Sequence, residues 1–380
     1  MITYQKEFDA IRPFYDNEIN DAVNRILNEP GFIKTICYFF PEVPVSVLKE
    51  KLSGLTSVTD FQMNFIIRLI VRIINQSTSG LTYSGLENLD PGKNYVYLSN
   101  HRDIVLDSAF LNYVLIQNNF QSTEIAIGSN LLILPWITDL VRMNKTFIVQ
   151  RNVPVKEQYR YSNILSSYIR YSVTSNNRSI WIAQREGRTK NGNDKTQLSL
   201  LKMLNISGEA NAIENLSELN VVPVSISYEF EPLDREKVIE TYSKKHIENF
   251  KKTRLDDLLS MSKGLTSQKG QVHFHFGKPI TESIQKFSSI RNKNEQLEQI
   301  AGVIDNCIYK GYQLQPINYI AAHLLFNSND YNNYFTSDDL EKYTEYFNNQ
   351  LKNTNGEEIE LRKMLLGIYA NPVVNKNNAV

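Results

Sequence analysis

From residue 95 onward, short runs rich in Val, Ile, Tyr and Phe alternate with longer stretches of helical periodicity, and this alternation narrows the possible folds more than any other feature of the chain. The runs are YVYL, EIAI, TFIVQ, SIWIAQ, VVPVSISYEF and QVHFHF. Helical patterns fall near residues 104–117, 157–173 and 195–205, each long enough to cross between parallel strands. The pattern predicts an α/β fold with a mixed, mostly parallel sheet covered by helices. A chain of 380 residues can bury a sizeable core without disulfides or a structural metal.

The flanks read differently. Ile19, Ala22, Val23, Ile26 and Leu27 recur at helical spacing before a break at Pro30 and Gly31, so residues 1–80 are expected to form an N-terminal helical region. The α/β domain is expected over 81–283 and a C-terminal helical extension over 284–380. In that extension Ser337 and Asp338 are placed to cap a helix, and the tail from Pro372 reads as loosely held.

The stretch FQMNFIIRLIVRII, residues 61–74, would make a helix of about 21 Å, too short for a hydrocarbon core of about 30 Å. It fits a helix packed on the core with Arg68 and Arg72 snorkelling, a helix lying in a membrane interface, or a dimer contact. LLILPWITDLV, residues 131–141, is a second candidate for membrane contact.

Forty-one basic residues balance 41 acidic ones, so bulk attraction to nucleic acid is not expected. Anion binding would have to come from local clustering. Cys37 and Cys307 suggest neither a disulfide framework nor a thiolate metal site, which fits a reducing cytoplasm. No secretory signal is expected from MITYQKEFDAI.

Chemistry concentrates where YVYL delivers Ser99, Asn100 and His101 to a turn before a helix. Ends of strands are where open α/β sheets place ligands. A carboxylate holding the His101 imidazole would make it a general base, able to take a proton from a hydroxyl that attacks an acyl carbonyl. Two carboxylates compete for that place. Asp107 lies six residues on, about 240° around an uninterrupted helix, so the pair works only if His101 precedes the helix. Asp103 is the alternative catalytic carboxylate, though a helix start equally suits it to capping. The HRD letters alone do not make a protein-kinase loop: position 108 is Ser, no Asp-Phe-Gly follows, and no Gly-x-Gly-x-x-Gly loop precedes.

Two further strand ends carry cations. TFIVQ leads to Arg151, and SIWIAQ leads to Arg185, Glu186, Gly187 and Arg188, with Lys190 and Lys195 behind. Arg151, Arg188 and Lys195 could grip a phosphate, Gly187 would let the backbone approach it, and Glu186 would hold an arginine or a polyol hydroxyl. Pro223 interrupts VVPVSISYEF, which argues for an edge strand or a bulge and a structural role. His273 and His275 share one face of QVHFHF but lack a third ligand for a catalytic metal, so no metal is expected. His323 reads as a packed helix residue.

Together these segments resemble the glycerolipid acyltransferase family, which includes glycerol-3-phosphate and 1-acylglycerol-3-phosphate acyltransferases. NHRDIVLD is similar to the family's His-x4-Asp motif, with one extra residue between His101 and Asp107. TFIVQR is similar to its second block and carries acceptor-phosphate binding onto Arg151. REGRTKNG is similar to the third block, Glu-Gly-Thr-Arg-Ser, with Glu186 and Gly187 in place and Arg188 one position early. VVPVSI carries the fourth block's proline onto Pro223, GQVHFHFGKPI is similar to a late strand and turn, and YQLQPINYIAAHLL looks like the longer members.

The resemblance implies an enzyme of phospholipid biosynthesis that moves a fatty acyl group from acyl-CoA or acyl carrier protein to a hydroxyl of glycerol-3-phosphate or a lysophospholipid. His101 would be the base and Asp107 its partner. No metal or redox cofactor is implied. The expected place is the cytoplasm, peripherally attached to the inner face of the membrane. Alternatives are transfer to an amino-acid-containing or other non-glycerol lipid, and a nonenzymatic membrane-associated lipid-binding protein.

Overall fold

Among the described residues seven strands make one sheet, in the order β1-β7-β6-β2-β5-β3-β4. They are β1 (Gly80–Ser84), β2 (Val96–Ser99), β3 (Glu124–Gly128), β4 (Thr146–Val149), β5 (Ile180–Ala183), β6 (Val221–Tyr228) and β7 (Gln271–Phe276). All neighbouring pairs are parallel except β6 with β7. These elements come from a computed structural model, which describes residues 2–379.

Alternation along the strands sorts the two faces of the sheet. Val96, Leu98, Ile180, Ile182 and Val221 enter a core shared with the helices Val155–Thr174, Leu198–Ile206 and Lys293–Lys310. Tyr97, Trp181, Val222, Val224 and Ile226 face the opposite core, filled by the helices Ile67–Ser77 and Leu106–Gln117. A third core gathers the N-terminal helices around Ile19, Val23, Ile26 and Phe61, and a fourth gathers the C-terminal helices around Ile317, Phe347 and Tyr369. The expected α/β architecture, with helical segments before and after the sheet, is what the chain adopts.

Several expectations are corrected. Pro223 is not on an edge: β6 lies between β2 and β7, with Leu98 opposite Pro223. The missing amide is tolerated because β7 pairing ends at Phe276 opposite Val224. Pro223 therefore needs only its carbonyl, which accepts from the Gly277 amide at 2.9 Å. The tail from Pro372 is not loose, because the helix Glu358–Asn377 runs through it and buries Pro372 and Val373. The helix Ser337–Leu351 is capped by Thr336, whose hydroxyl accepts the Asp339 amide, rather than by Ser337 or Asp338. β1 was not among the expected strands.

The stretch 61–74 turns Phe61, Phe65, Ile70 and Ile73 inward, and Arg72 pairs with Glu42 beside the Phe40 ring. In 131–141, Leu131 lines the large cavity and Trp136 packs on Phe32. Among the described residues no helix is long and apolar enough to cross a membrane.

Candidate active site

The five strands β6, β2, β5, β3 and β4 run parallel, so their carboxyl ends share one edge of the sheet. A cavity of about 1150 Å³ opens along that edge. His101 reaches it from β2, Arg185 to Lys190 from β5, Gly128 from β3 and Arg151 from β4. That is the position a doubly wound sheet offers a ligand.

The turn after β2 is held at both ends. Asn100 takes the place of one more strand residue: its Oδ1 accepts the Ile226 amide at 2.7 Å and its Nδ2 donates to the Ile226 carbonyl at 3.0 Å. The chain then leaves the sheet, and His101 precedes the helix Leu106–Gln117, as the geometry of a His101–Asp107 pair requires. His101 Nδ1 lies 2.9 Å from Asp107 Oδ2. The same oxygen accepts the amides of Arg102 at 2.6 Å and Asp103 at 3.0 Å, while the Tyr228 hydroxyl donates to Oδ1 at 3.0 Å. Burial, and then the Asp107 charge, push the Tyr228 hydroxyl well above its ordinary pKa, so it stays a neutral donor.

Asp103 does the other job. Its Oδ1 accepts the amides of Val105 and Leu106, each at 2.8 Å, and so caps the helix. With Nδ1 donating to Asp107, the His101 ring keeps Nε2 as its acceptor nitrogen, on a side chain 14% exposed at the cavity. The Trp181 ring stands edge-on to His101 at 6.0 Å and donates its indole hydrogen to Ser99 at 3.1 Å. These contacts fix the ring's orientation.

The β5 loop folds back on the histidine turn: the Thr189 amide donates to the His101 carbonyl at 2.9 Å. Arg151 pairs with Glu186 at 3.0 Å, one of the two partnerships considered for that glutamate. Gly187 has φ +70°, and a Cβ there would touch nothing within 4 Å, so the turn is open toward the cavity. Arg188 is 92% buried, and its Nη1 has no hydrogen-bond partner among the described residues. Lys195 is exposed and does not line the cavity, whereas Lys190 does.

Sequence reading missed the charges beneath this turn. Arg102 donates to Asp194 at 2.6 Å and to Glu231 at 3.2 Å; Lys237 reaches Glu231 at 2.5 Å and the Arg102 carbonyl at 2.8 Å. All four side chains are buried, two of each sign. Burial pushes the Asp194 carboxyl up and the Lys237 amine down, against the pull of their partners. Only an Arg beside His101 hinted at this; the partners come from two distant segments, around Asp194 and over 231–237.

His273 and His275 both contact Ser84 Oγ, at 3.0 and 2.9 Å, and Thr82 contacts His273 at 2.9 Å. They lie on the antiparallel side of the sheet, away from His101. His323 contacts the Ser328 carbonyl at 2.8 Å and packs against Phe335.

A histidine held by a carboxylate thus opens on a cationic cavity at the carboxyl edge of an α/β sheet. Residues 80–227, less than half of the chain, match the family described as Acyltransferase, and this match supports an enzyme acting as an acyltransferase. Curated protein sequences provide no match. Among solved structures the chain is similar to the 1-acyl-sn-glycerophosphate (LPA) acyltransferase PlsC from Thermotoga maritima. The identity is 14%, over 74% of this chain and 91% of that one, with a TM-score of 0.35. A likeness that distant adds nothing to the fold read from the strand order.

Proposed function

We propose that this acyltransferase moves a fatty acyl group from a thioester to the hydroxyl of a phosphate-bearing glycerolipid acceptor, glycerol-3-phosphate or a lysophospholipid. The observation that carries the reading is the His101–Asp107 pair, 2.9 Å apart, opening into a cavity with six cationic side chains and three carboxylates. His101 Nε2 takes the acceptor hydroxyl proton as that oxygen bonds to the thioester carbonyl carbon. Asp107 holds the ring and stabilises the imidazolium. When the tetrahedral intermediate collapses, the carbon–sulfur bond breaks and the leaving thiolate takes the proton back from His101. The cycle balances without a change of oxidation state, so it calls for no redox cofactor.

Arg151 and Arg188 attract the acceptor phosphate, with Gly187 leaving room for it and Glu186 keeping Arg151 in register. A lipid product calls for peripheral contact with a membrane, placed at its inner face in a cytoplasmic protein. Leu131 of the 131–141 stretch, inside the cavity, suits an acyl-chain wall.

The test is product formation. Purified protein with acyl-CoA or acyl-carrier protein, and with glycerol-3-phosphate or lysophospholipid in vesicles, should give acylated lipid of the expected mass. His101→Ala should lower its rate about 10²- to 10⁴-fold while the protein stays folded. Folded protein that forms no such product with any of these pairs, or an unimpaired His101→Ala, would overturn the reading.

A further inference from the structure

The cavity continues past the β5 loop to a second group of cations: Lys190 from that loop, Lys244 from the helix Asp234–His246 and Lys252 from the segment after it, beside Asp257 of the helix Arg254–Thr266. Lys190, Lys244 and Lys252 converge there on one carboxylate. Glu240 is 7% exposed; it pairs with Lys190, with Lys244 at 2.8 Å and with Lys252 at 3.3 Å. Lys252 also reaches Asp257 at 3.1 Å. Three ammonium groups therefore face two carboxylates, leaving positive charge in excess within a chain whose formal net charge is zero.

The electrostatics fit a lobe built for an anion. Burial pushes Glu240 up, but hydrogen bonds from Lys190 and Lys244 hold it at about 2. Burial brings Lys190 down to about 8. An incoming phosphate would restore the charge balance that two carboxylates leave incomplete.

Strand order sets this lobe apart from Arg151. Along the carboxyl edge Arg151 follows the outermost strand β4, whereas the helix Asp234–His246 follows β6; β2, with His101, lies between them. A cavity of about 1150 Å³ exceeds what one small polyol phosphate fills and can seat two substrates. Two anionic ligands could thus approach the base from opposite sides, as a two-substrate transfer needs.

We infer that the Lys190–Lys244–Lys252 lobe binds the phosphate of the pantetheine arm that carries the acyl thioester, across His101 from the Arg151 site. The assignment rests on the thioester reading above and names the donor half of that site. Acyl-coenzyme A and acyl-carrier protein share this phosphate, so the recognised chemistry is the phosphopantetheine ester.

The experiment separates the donor site from the reaction. Calorimetric binding of coenzyme A, 4′-phosphopantetheine and unphosphorylated pantetheine is measured on the wild type, on Lys244→Gln/Lys252→Gln and on Lys244→Arg/Lys252→Arg. Donor and acceptor KM values are measured with acyl-CoA and with acyl-carrier protein. The glutamine pair should weaken binding of both phosphorylated probes about tenfold, leave pantetheine unaffected and raise donor KM rather than acceptor KM. The arginine pair, which keeps the charge, should stay near the wild type and serves as the control for folding. Unequal effects with the two donors would say which source is used; an effect on at least one is expected.

Unchanged binding of the phosphorylated probes in the glutamine pair, no binding to the wild type, or a rise in acceptor KM instead would overturn the assignment. Should lysine-dependent binding of phosphopantetheine coexist with a failure to acylate any glycerolipid acceptor, the lobe stands and the acceptor reading falls.

Discussion

Two carboxylates stand within six residues of His101, and the side-chain geometry divides their work. Asp107 takes the imidazole and two backbone amides; Asp103 takes the first amides of the helix. Asp107→Asn should lower kcat about 10²- to 10⁴-fold, because an amide cannot hold the same ring tautomer or balance an imidazolium. Asp103→Asn keeps an acceptor oxygen for the cap and should leave kcat near that of the wild type. Steady-state kinetics of the two variants decide the matter, and a larger loss for Asp103→Asn would reverse the roles. His101, Arg151, Glu186, Gly187 and Arg188 could all be found from sequence, since each follows an apolar strand directly. Lys244 and Glu240 could not, because on a charged helix they look like any solvated face, and Lys252 could not, because it stands in the charged segment after that helix.

The strands legible in the sequence were those with dense β-branched and aromatic content, and β2 to β7 fall where those runs stand. β1 escaped notice because LTYS is short and half polar; it is an edge strand, and pairing with β7 supplies what its composition lacks. Its exit depends on Gly85. That residue has φ +84°, and a Cβ there would lie 2.0 Å from the Phe276 carbonyl oxygen. Gly85→Ala should therefore destabilise the protein by more than about 2 kcal/mol, from backbone strain together with the clash. A urea midpoint unchanged from wild type would refute this. Pro223 teaches the converse lesson: proline marks an edge only when the neighbour that its amide would face still pairs at that position, and here that strand has already ended.

The chain ends reach back to support the centre. Tyr369, on the helix Glu358–Asn377, donates to Asp234 at 2.7 Å and accepts the Glu231 amide at 3.0 Å. Glu231 in turn holds Arg102, the neighbour of His101. Burial pushes the Asp234 carboxyl up to about 6, even though the Tyr369 and Tyr346 hydroxyls pull it down. A carboxyl raised on folding binds its proton more tightly in the native state. Its contribution to stability is therefore greatest at acid pH, and declines as pH climbs from the ordinary 3.8 to about 6. Tyr369→Phe removes a donor that favours the ionised form. It should cost about 1–3 kcal/mol, with more of the loss at pH 8 than at pH 5, as read from thermal or urea unfolding at both pH values. An equal loss at the two would mean that the bond to the Glu231 amide carries the whole effect.

The α/β order, the strand ends and the histidine turn were readable because they depend on periodicity and on neighbours a few residues apart. The partners could be assigned only once the chain had closed. Tyr228 meets Asp107 across 121 positions, Arg102 meets Asp194 across 92 and Tyr369 meets Asp234 across 135. Such pairs follow from crossover connections and helix packing that bring together segments with no local pattern in common. For the same reason a chain with no net charge can gather its cations at one edge of its sheet.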